Sequence, residues 1–269
     1  MNTQTIRERQ SVRTFDKKPV NSETLEEVKQ WIESIDNPFH IPVSMQLFNK
    51  EENGLSSPVL VDEEWYVAGK VPKIAHGEEA FGYSFEDFIL KAQSLGLGTV
   101  WLAATIKRPA FEEAIDLQSN EVMPAVSPLG YPASKRSARE KLMRKGMNSD
   151  NRRAFEELFF LESFQTPLLE EKAGEWKLPL EMVRLAPSAT NKQPWRAIVD
   201  HNKVHFYEFK SKGYANEATG DIQKVDLGIA MRHFDLACLE QGQKGHWQIE
   251  DPNIPHDSNV EYIATWVKE

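Results

Sequence analysis

The order of structural signals along this 269-residue chain occurs twice, and this repetition constrains the fold more than any other feature. In each half, a helical pattern is followed by a loop, short strands, a long apolar helix, a glycine-rich stop and another strand. Identity between the halves is faint, so the repetition lies in the order of elements. The pattern predicts an α+β fold made of two copies of one domain, with helices packed on antiparallel or mixed sheets.

Capping signals and apolar spacing place the elements of the first half. Asn21 is a candidate N-cap, and the helix that follows it ends before Asn37-Pro38. Gly96 ends a longer amphipathic helix. Short strands are expected at residues 99–103 and 123–129.

The second half repeats this order. A helix ends at Ala186-Pro187, a hairpin turns at residues 200–202, and a long helix with apolar positions over 227–238 precedes a terminal strand at 260–267. We place the break between the copies in the basic stretch near residues 140–155, which predicts domains of residues 1–150 and 151–269.

Composition excludes several classes of protein. The net charge of −9 argues against a general nucleic-acid binder, which needs a basic surface. No apolar run is long enough to span a bilayer, and the N-terminus lacks the features of a secretory signal. Cys238 is the only cysteine, which excludes disulfides and multi-cysteine metal sites within the chain. We expect a soluble cytoplasmic protein with no metal.

A local basic cluster stands out in this acidic chain. It comprises Lys135, Arg136, Arg139, Lys141, Arg144, Lys145, Arg152 and Arg153. Two interpretations stay open: a solvated linker or helix, or a cluster that serves one small anionic ligand.

Two arginines and a hydroxyl occur together near the N-terminus. If the segment is extended, Arg9, Ser11 and Arg13 share one side; if it is helical, Arg9 and Arg13 share a face. Either geometry suits a dianionic phosphate, because arginine offers forked, charge-assisted donors. Surface residues without a ligand are the alternative.

A second polar segment runs from Ala186 to Trp195. Its prolines favour a rigid loop, and Ser188, Asn191 and Gln193 supply donors and acceptors for the edge of a planar heterocycle. The alternative is an ordinary helix-to-strand loop, with Trp195 as core filler.

Two glycine-containing segments complete the set. Residues 96–98 permit either a helix C-cap or close approach of the backbone to a ligand. The segment that begins at Gly130 leads to Lys135, Arg136 and Arg139, which are candidate phosphate partners.

Together these segments resemble the nitroreductase and flavin reductase family of FMN enzymes. The resemblance covers most of the chain, and the Ala-Pro-Ser to Pro-Trp element is its specific part. The matching residues are Arg9-x-Ser11-x-Arg13-x-Phe15, Gly96-Leu97-Gly98-Thr99-x-Trp101, Gly130-Tyr131-Pro132-Ala133, Ala186-Pro187-Ser188-x-x-Asn191-x-Gln193-Pro194-Trp195 and Asp226-Leu227-Gly228-Ile229-Ala230.

The spacing departs from the family pattern, in which both motifs lie in one domain and each flavin sits between two subunits. Here Arg13 and Ala186 are 173 positions apart (186 − 13). Residues 36–42 keep little of the loop in the first half, and residues 159–164 lack the arginines in the second. These complementary losses resemble a fused, pseudo-dimeric branch of the family. They imply one complete flavin site in a monomer.

The resemblance implies a role for each matching residue. Arg9, Ser11 and Arg13 would bind the FMN phosphate together with Lys135, Arg136 or Arg139. Residues that would contact the rest of the flavin are Pro187, Ser188, Asn191 and Gln193, with the backbone of Ala103, Ala104 and Thr105 facing the ring. No catalytic side chain is expected, since the cofactor carries the hydride chemistry.

The function implied is an NAD(P)H-dependent oxidoreductase that passes hydride through FMN to a nitroaromatic, quinone or similar acceptor. One alternative is a flavin-binding protein without turnover, because a duplicated and eroded enzyme can become a binding module. Another is an enzyme of the same fold that processes flavin itself or halides. Fold alone does not decide between them.

Overall fold

Two long helices packed against each other organise the molecule. The computed structural model describes residues 1–134 and 151–269, and elements are numbered within those residues. The helices are α1 (Thr3–Glu8), α2 (Ser22–Ser34), α3 (Gly77–Ser94), α4 (Arg108–Ala114), α5 (Phe155–Leu158), α6 (Lys177–Leu185) and α7 (Ile222–Glu240). Short 3₁₀ turns cover Glu170–Lys172, Gly174–Trp176 and Ala189–Asn191.

The strands form one sheet in each half and a small hairpin. They are β1 (Ser44–Asn49), β2 (Trp65–Pro72), β3 (Glu121–Val122), β4 (Val126–Leu129), β5 (Phe159–Leu161), β6 (Trp195–Asp200), β7 (Lys203–Phe209), β8 (Ala215–Asn216), β9 (Gly220–Asp221), β10 (Gly245–Gln248) and β11 (Val260–Lys268).

The two sheets share a part made of three antiparallel strands. In the first, β2 pairs antiparallel with β1, β3 and β4. In the second, the order is β10-β11-β7-β6-β5, and only the β5–β6 pair is parallel. The hairpin β1–β2 therefore corresponds to β6–β7, α3 to α7, and β4 to β11. The α+β class and the two-copy architecture expected from the sequence are confirmed.

Reciprocal glycine contacts place a pseudo-twofold axis between α3 and α7. A Cβ atom at Gly82 would overlap the carbonyl oxygen of Val225, and one at Gly228 would overlap that of Glu79. Gly82 and Gly228 are 146 positions apart (228 − 82), as are Glu79 and Val225. A contact that repeats with its two partners exchanged is the signature of an isologous interface. The halves thus meet as two subunits of a homodimer would.

Most predicted elements lie where the sequence placed them. Asn21 caps α2 by accepting a hydrogen bond from the backbone N–H of Thr24, at 2.7 Å. Gly96, at φ 73°, ends α3, and this confirms the helix C-cap. The predicted strand at residues 99–103 is wrong as a continuous strand, because the bridges Ser11–Thr99 and Leu102–Val126 lie on different neighbours and never form a ladder.

The core runs through both halves and fills the space between α3, α7 and the sheets. Trp195 and Cys238 are buried in it. In the described part of the chain, no helix is long and apolar enough to cross a membrane. The same residues contain no cluster of three or more acidic, histidine or cysteine side chains arranged to hold a metal ion.

Candidate functional site

A cavity of about 230 Å³ lies between the two halves. Its wall combines the N-terminal arginine segment, the segment after α3, the Ala-Pro-Ser loop and the first turns of α7. The lining residues are Arg9, Gln10, Ser11, Arg13, Val100, Trp101, Ala103, Ala125, Arg152, Pro187, Ser188, Ala189, Thr190, Asn191, Ile222, Val225, Asp226 and Ile229. Two motifs more than 170 residues apart in sequence therefore face one space.

The arginine segment is extended rather than helical. Helix α1 ends at Glu8, and beyond it the backbone N–H of Val12 donates to the carbonyl of Thr99 at 2.8 Å. Alternate residues of an extended chain point to opposite sides. Arg9, Ser11 and Arg13 accordingly line the cavity, whereas Val12 is buried on the other side; Gln10, next to the end of α1, also reaches the lining.

Two glycines let the protein pack closely behind this segment. A Cβ atom at Gly98 would lie 2.8 Å from the side chain of Val12, and one at Gly130 would lie 3.1 Å from the ring of Phe15. Gly98 and Gly130 thus contact the protein itself: because they lack side chains, the arginine segment can lie flat against the core.

The Ala-Pro-Ser loop holds an unusual backbone conformation. Thr190, Asn191 and Gln193 have φ angles of 48°, 57° and 53°, in the left-handed region that residues other than glycine rarely adopt. Such residues persist where surrounding contacts fix them, and they concentrate at functional sites. Here the side chain of Ser188 fixes the loop by accepting from the backbone N–H of Gln193 at 2.9 Å.

A buried carboxylate in the first turns of α7 anchors the same loop. Both oxygens of Asp226 accept from the backbone N–H of Ala189, at 3.0 and 3.1 Å. Burial raises the pKa of Asp226 well above its ordinary value, the Ala189 hydrogen bond lowers it, and Asp221 and Glu208 raise it further. The side chain of Asp226 thus ties the loop to the start of α7.

Arg152 contributes a third guanidinium group to the lining. It donates to the side-chain oxygen of Asn191 at 3.3 Å and to the carbonyl of Leu185 at 3.2 Å. Arg9, Arg13 and Arg152 contribute positive charge to the lining, while Val100, Ala125, Val225 and Ile229 supply apolar surface. The combination suits a ligand with an anionic group and a flat, largely apolar body.

The predicted site residues divide into three groups. Arg9, Ser11, Arg13, Ala103, Pro187, Ser188 and Asn191 line the cavity. Ala104, Thr105 and Gln193 lie outside the lining: Ala104 and Thr105 are exposed, and Gln193 accepts from the backbone N–H of Arg153 at 2.9 Å, which ties the loop to the start of the second half. Lys135, Arg136 and Arg139 lie outside the described residues.

Sequence reasoning left several lining residues out of the site. Arg152 stood in the basic cluster, but nothing local distinguished it from its neighbours. Asp226 offered a better signal, since it is an acidic residue among the apolar positions of a long helix. Ile222, Val225 and Ile229 flank Asp226 at helical spacing on the same face of α7.

The pseudo-twofold mate of the cavity differs in chemistry. His76 and Glu79 stand 146 positions before the lining residues Ile222 and Val225. The ring of Phe39 stacks on His76 with centroids 5.0 Å apart. Glu79 is fully buried, and its oxygens have no hydrogen-bond partner within residues 1–134 and 151–269. An aromatic stack and a buried carboxyl group thus stand where the first site has the apolar side chains of Ile222 and Val225.

Comparison with known proteins gives a consistent picture. A family model described as "Putative TM nitroreductase" matches residues 2–238. The chain is similar to the crystal structure of a protein from Thermotoga maritima described as a "putative nitroreductase", with 23% identity and a TM-score of 0.65, over 99% of this chain and 94% of that one. No curated protein matches it significantly.

Two further solved structures match half of the chain. An FMN-dependent nitroreductase from Clostridium difficile has 14% identity and a TM-score of 0.43, over 52% of this chain and 94% of its own. Iodotyrosine deiodinase bound to FMN and 3-iodo-L-tyrosine has 14% identity and a TM-score of 0.42, over 51% and 92%.

The family model spans both cavity-lining motifs, and the Thermotoga structure shares the fold over nearly the whole chain. The chain belongs to this nitroreductase family.

Proposed function

We propose that the chain binds one FMN in the cavity between its halves and acts as an NAD(P)H-dependent oxidoreductase, with a nitroaromatic, quinone or similar acceptor. The observation that carries the proposal is the shared lining: Arg9, Ser11 and Arg13 from one half face the same space as Pro187, Ser188 and Asn191 from the other. Membership of the nitroreductase family supports the same activity.

The residues present fit the chemistry of FMN. A phosphate dianion removed from water needs several charge-assisted donors, and three guanidinium groups with the Ser11 hydroxyl supply them. An isoalloxazine ring needs apolar walls and a few polar partners for its edge. Val225, Ile229 and the rigid loop at residues 187–191 provide both.

The chain's own contribution is binding and orientation. FMN, when bound, supplies hydride transfer between a nicotinamide and an acceptor. Arg9 and Arg13 hold the phosphate, and the loop fixed by Ser188 and Asp226 sets the position of the ring.

The test is the spectrum of the purified chain and its response to nicotinamides. We expect bound flavin, which loses its visible absorbance when NADH or NADPH is added without oxygen and regains it on addition of a quinone or nitroaromatic. Bound flavin that neither nucleotide bleaches would support the alternative of a binding protein without turnover. A chain that takes up no FMN would refute the proposal.

The ratio of flavin to protein should be one per chain. The second site would place the phosphate near residues 159–164, which offer aromatics and Glu162, with buried Glu79 on the adjoining helix. Neither the aromatic side chains nor these carboxyl groups can balance the charge of a desolvated phosphate dianion, and leaving the dianion unpaired costs several kcal/mol. Flavin absorbance against protein mass in FMN-saturated samples measures the ratio. A value near two would contradict the single-site proposal.

The chain should be a monomer in solution. The contacts of Gly82 and Gly228 occupy, within one chain, the surface through which a homodimer of single domains would form. We propose that the halves are residues 1–150 and 151–269, each supplying one side of this interface. Light scattering at micromolar concentration checks the mass, and an obligate dimer would speak against the proposal.

A further inference from the structure

Behind the cavity, a buried carboxylate connects the two long helices to the arginine segment. Glu86, in the middle of α3, is fully buried and does not line the cavity. Its Oε1 lies 2.9 Å from Nε2 of His233 on α7 and 4.0 Å from Nε of Arg9. Its Oε2 accepts from the indole N–H of Trp101 at 2.9 Å. Glu86 therefore contacts two residues of the lining without being part of it.

We propose that Glu86, held by His233, is a positioning residue that fixes the guanidinium group of Arg9 for phosphate binding. The inference rests on the proposed function, because it concerns the same site. It assigns a role to two buried residues from opposite halves that otherwise only join the helices.

The hydrogen-bond pattern fixes where His233 carries a proton. Its Nδ1 lies 3.0 Å from the carbonyl oxygen of Met182, which can only accept, so Nδ1 is protonated. The contact between Nε2 and Glu86 then needs a second proton, shared by the imidazole and the carboxyl group. With Trp101 holding the other oxygen, the carboxyl group has one orientation, and its Oε1 faces Arg9.

The position of Arg9 depends on this anchor. The Arg9 side chain is only 8% exposed, so its charge is largely removed from water. A guanidinium group in that setting needs a nearby negative charge, and Glu86 lies within ion-pair distance. A fixed guanidinium group binds phosphate more tightly than a mobile one, since less side-chain entropy is lost on binding.

The pseudo-twofold axis supplies a matched control. Asp87 and Arg232 stand 146 positions from His233 and Glu86, and they form the equivalent pair at 3.0 Å. Asp87 also accepts from an indole N–H, that of Trp31, at 3.1 Å. The two pairs share helices, an interface and chemistry. Neither Asp87 nor Arg232 lines the cavity.

The experiment compares FMN with riboflavin, which lacks the phosphate, in titrations of the full-length chain freed of flavin. We expect Glu86→Gln to weaken FMN binding about tenfold while riboflavin binding stays within about twofold of wild type, given the coupling energies usual for neighbouring residues. Asp87→Asn should change neither affinity. In an Arg9→Ala background, Glu86→Gln should have no further effect on the ratio of the two affinities.

Several results would overturn the inference. Glu86→Gln would contradict it by weakening FMN and riboflavin binding equally, or by leaving the FMN affinity unchanged. So would an Asp87→Asn variant with a changed ratio of FMN to riboflavin affinity, or a Glu86→Gln change that alters this ratio just as much in the Arg9→Ala background. If Glu86→Gln does not fold, His233→Gln tests the same anchor with the same two ligands. If wild type binds FMN and Arg9→Ala loses its preference over riboflavin, the proposed FMN site stands whatever Glu86 does. A wild type that binds no FMN refutes both.

Discussion

Replacing Arg13 by alanine should weaken FMN binding by about 2–5 kcal/mol, the range found when one partner of a desolvated charge pair is removed. This corresponds to a rise in Kd of roughly 30-fold to several thousandfold. Arg13 is 7% exposed and lines the cavity. Its backbone is held in place, because its carbonyl oxygen accepts from Val61 N–H at 2.9 Å. Alanine therefore removes a preplaced forked donor from the lining.

Titration of the flavin-free chain with FMN measures the effect, and thermal melts show whether the variant still folds. Arg7→Ala is the matched control, since Arg7 is an exposed arginine on α1 outside the lining. It should leave the affinity unchanged. Wild-type affinity in a folded Arg13→Ala variant would remove Arg13 from the phosphate site.

Glu208 should make the flavin-free chain less stable as the pH rises from 4.5 to about 7. This residue of β7 is fully buried, and its oxygens have no hydrogen-bond partner among the described residues. The pKa of Glu208 is raised from 4.5 to about 7, chiefly by burial; Asp221 and Glu261 also raise it, and Lys224 and Lys210 lower it. Between those two pH values, the folded chain keeps a proton that the unfolded chain has released.

The sign follows from proton linkage: stability is fully present below the unfolded pKa and is lost as the pH rises through the folded one. At about 1.4 kcal/mol for each pKa unit, Glu208 should lower the unfolding free energy by about 3 kcal/mol across the window. Glu208→Gln is neutral at every pH. The variant should match wild type near pH 4.5 and exceed it in stability by about 3 kcal/mol at pH 8.

Urea unfolding of both proteins over this pH range measures the difference. Glu261→Gln is a control with the opposite sign. The pKa of Glu261 is lowered, because its hydrogen bonds with Lys210 and Lys224 outweigh the burial that raises it. That variant should be less stable than wild type at pH 8. A pH-independent difference between wild type and Glu208→Gln would show that Glu208 does not titrate as described.

The sequence predicted the parts of the site that depend on local geometry. Alternation placed Arg9, Ser11 and Arg13 on one side once the segment was extended, and Gly96 ended its helix as expected. Whether the arginine segment would be extended or helical could not be read locally. That choice depends on its bridge to Thr99, a residue nearly 90 positions away.

Contacts between residues that only the tertiary structure brings together could not be predicted from the sequence. Glu86 and His233 each look like a polar residue on an apolar helix, and only the packing of α3 on α7 brings them to 2.9 Å. Gln193 shows the reverse case. Its residue type suited a ligand, but its side chain instead accepts from Arg153 N–H, because the left-handed loop turns it toward the protein.

The two charged pairs between α3 and α7 also bear on which halves can assemble with each other. Gly82 and Gly228 allow close approach in any pairing, so shape does not discriminate. Charge does. Two first halves joined through the same contacts would set Glu86 against Asp87 of the second copy, and two second halves would set Arg232 against His233. Two carboxylates buried face to face cost several kcal/mol, and neither an imidazole nor a guanidinium group offers the other a negative partner. Only a first half against a second half pairs an acidic residue with a basic one at both positions, so the assembly of two first halves or of two second halves is disfavoured.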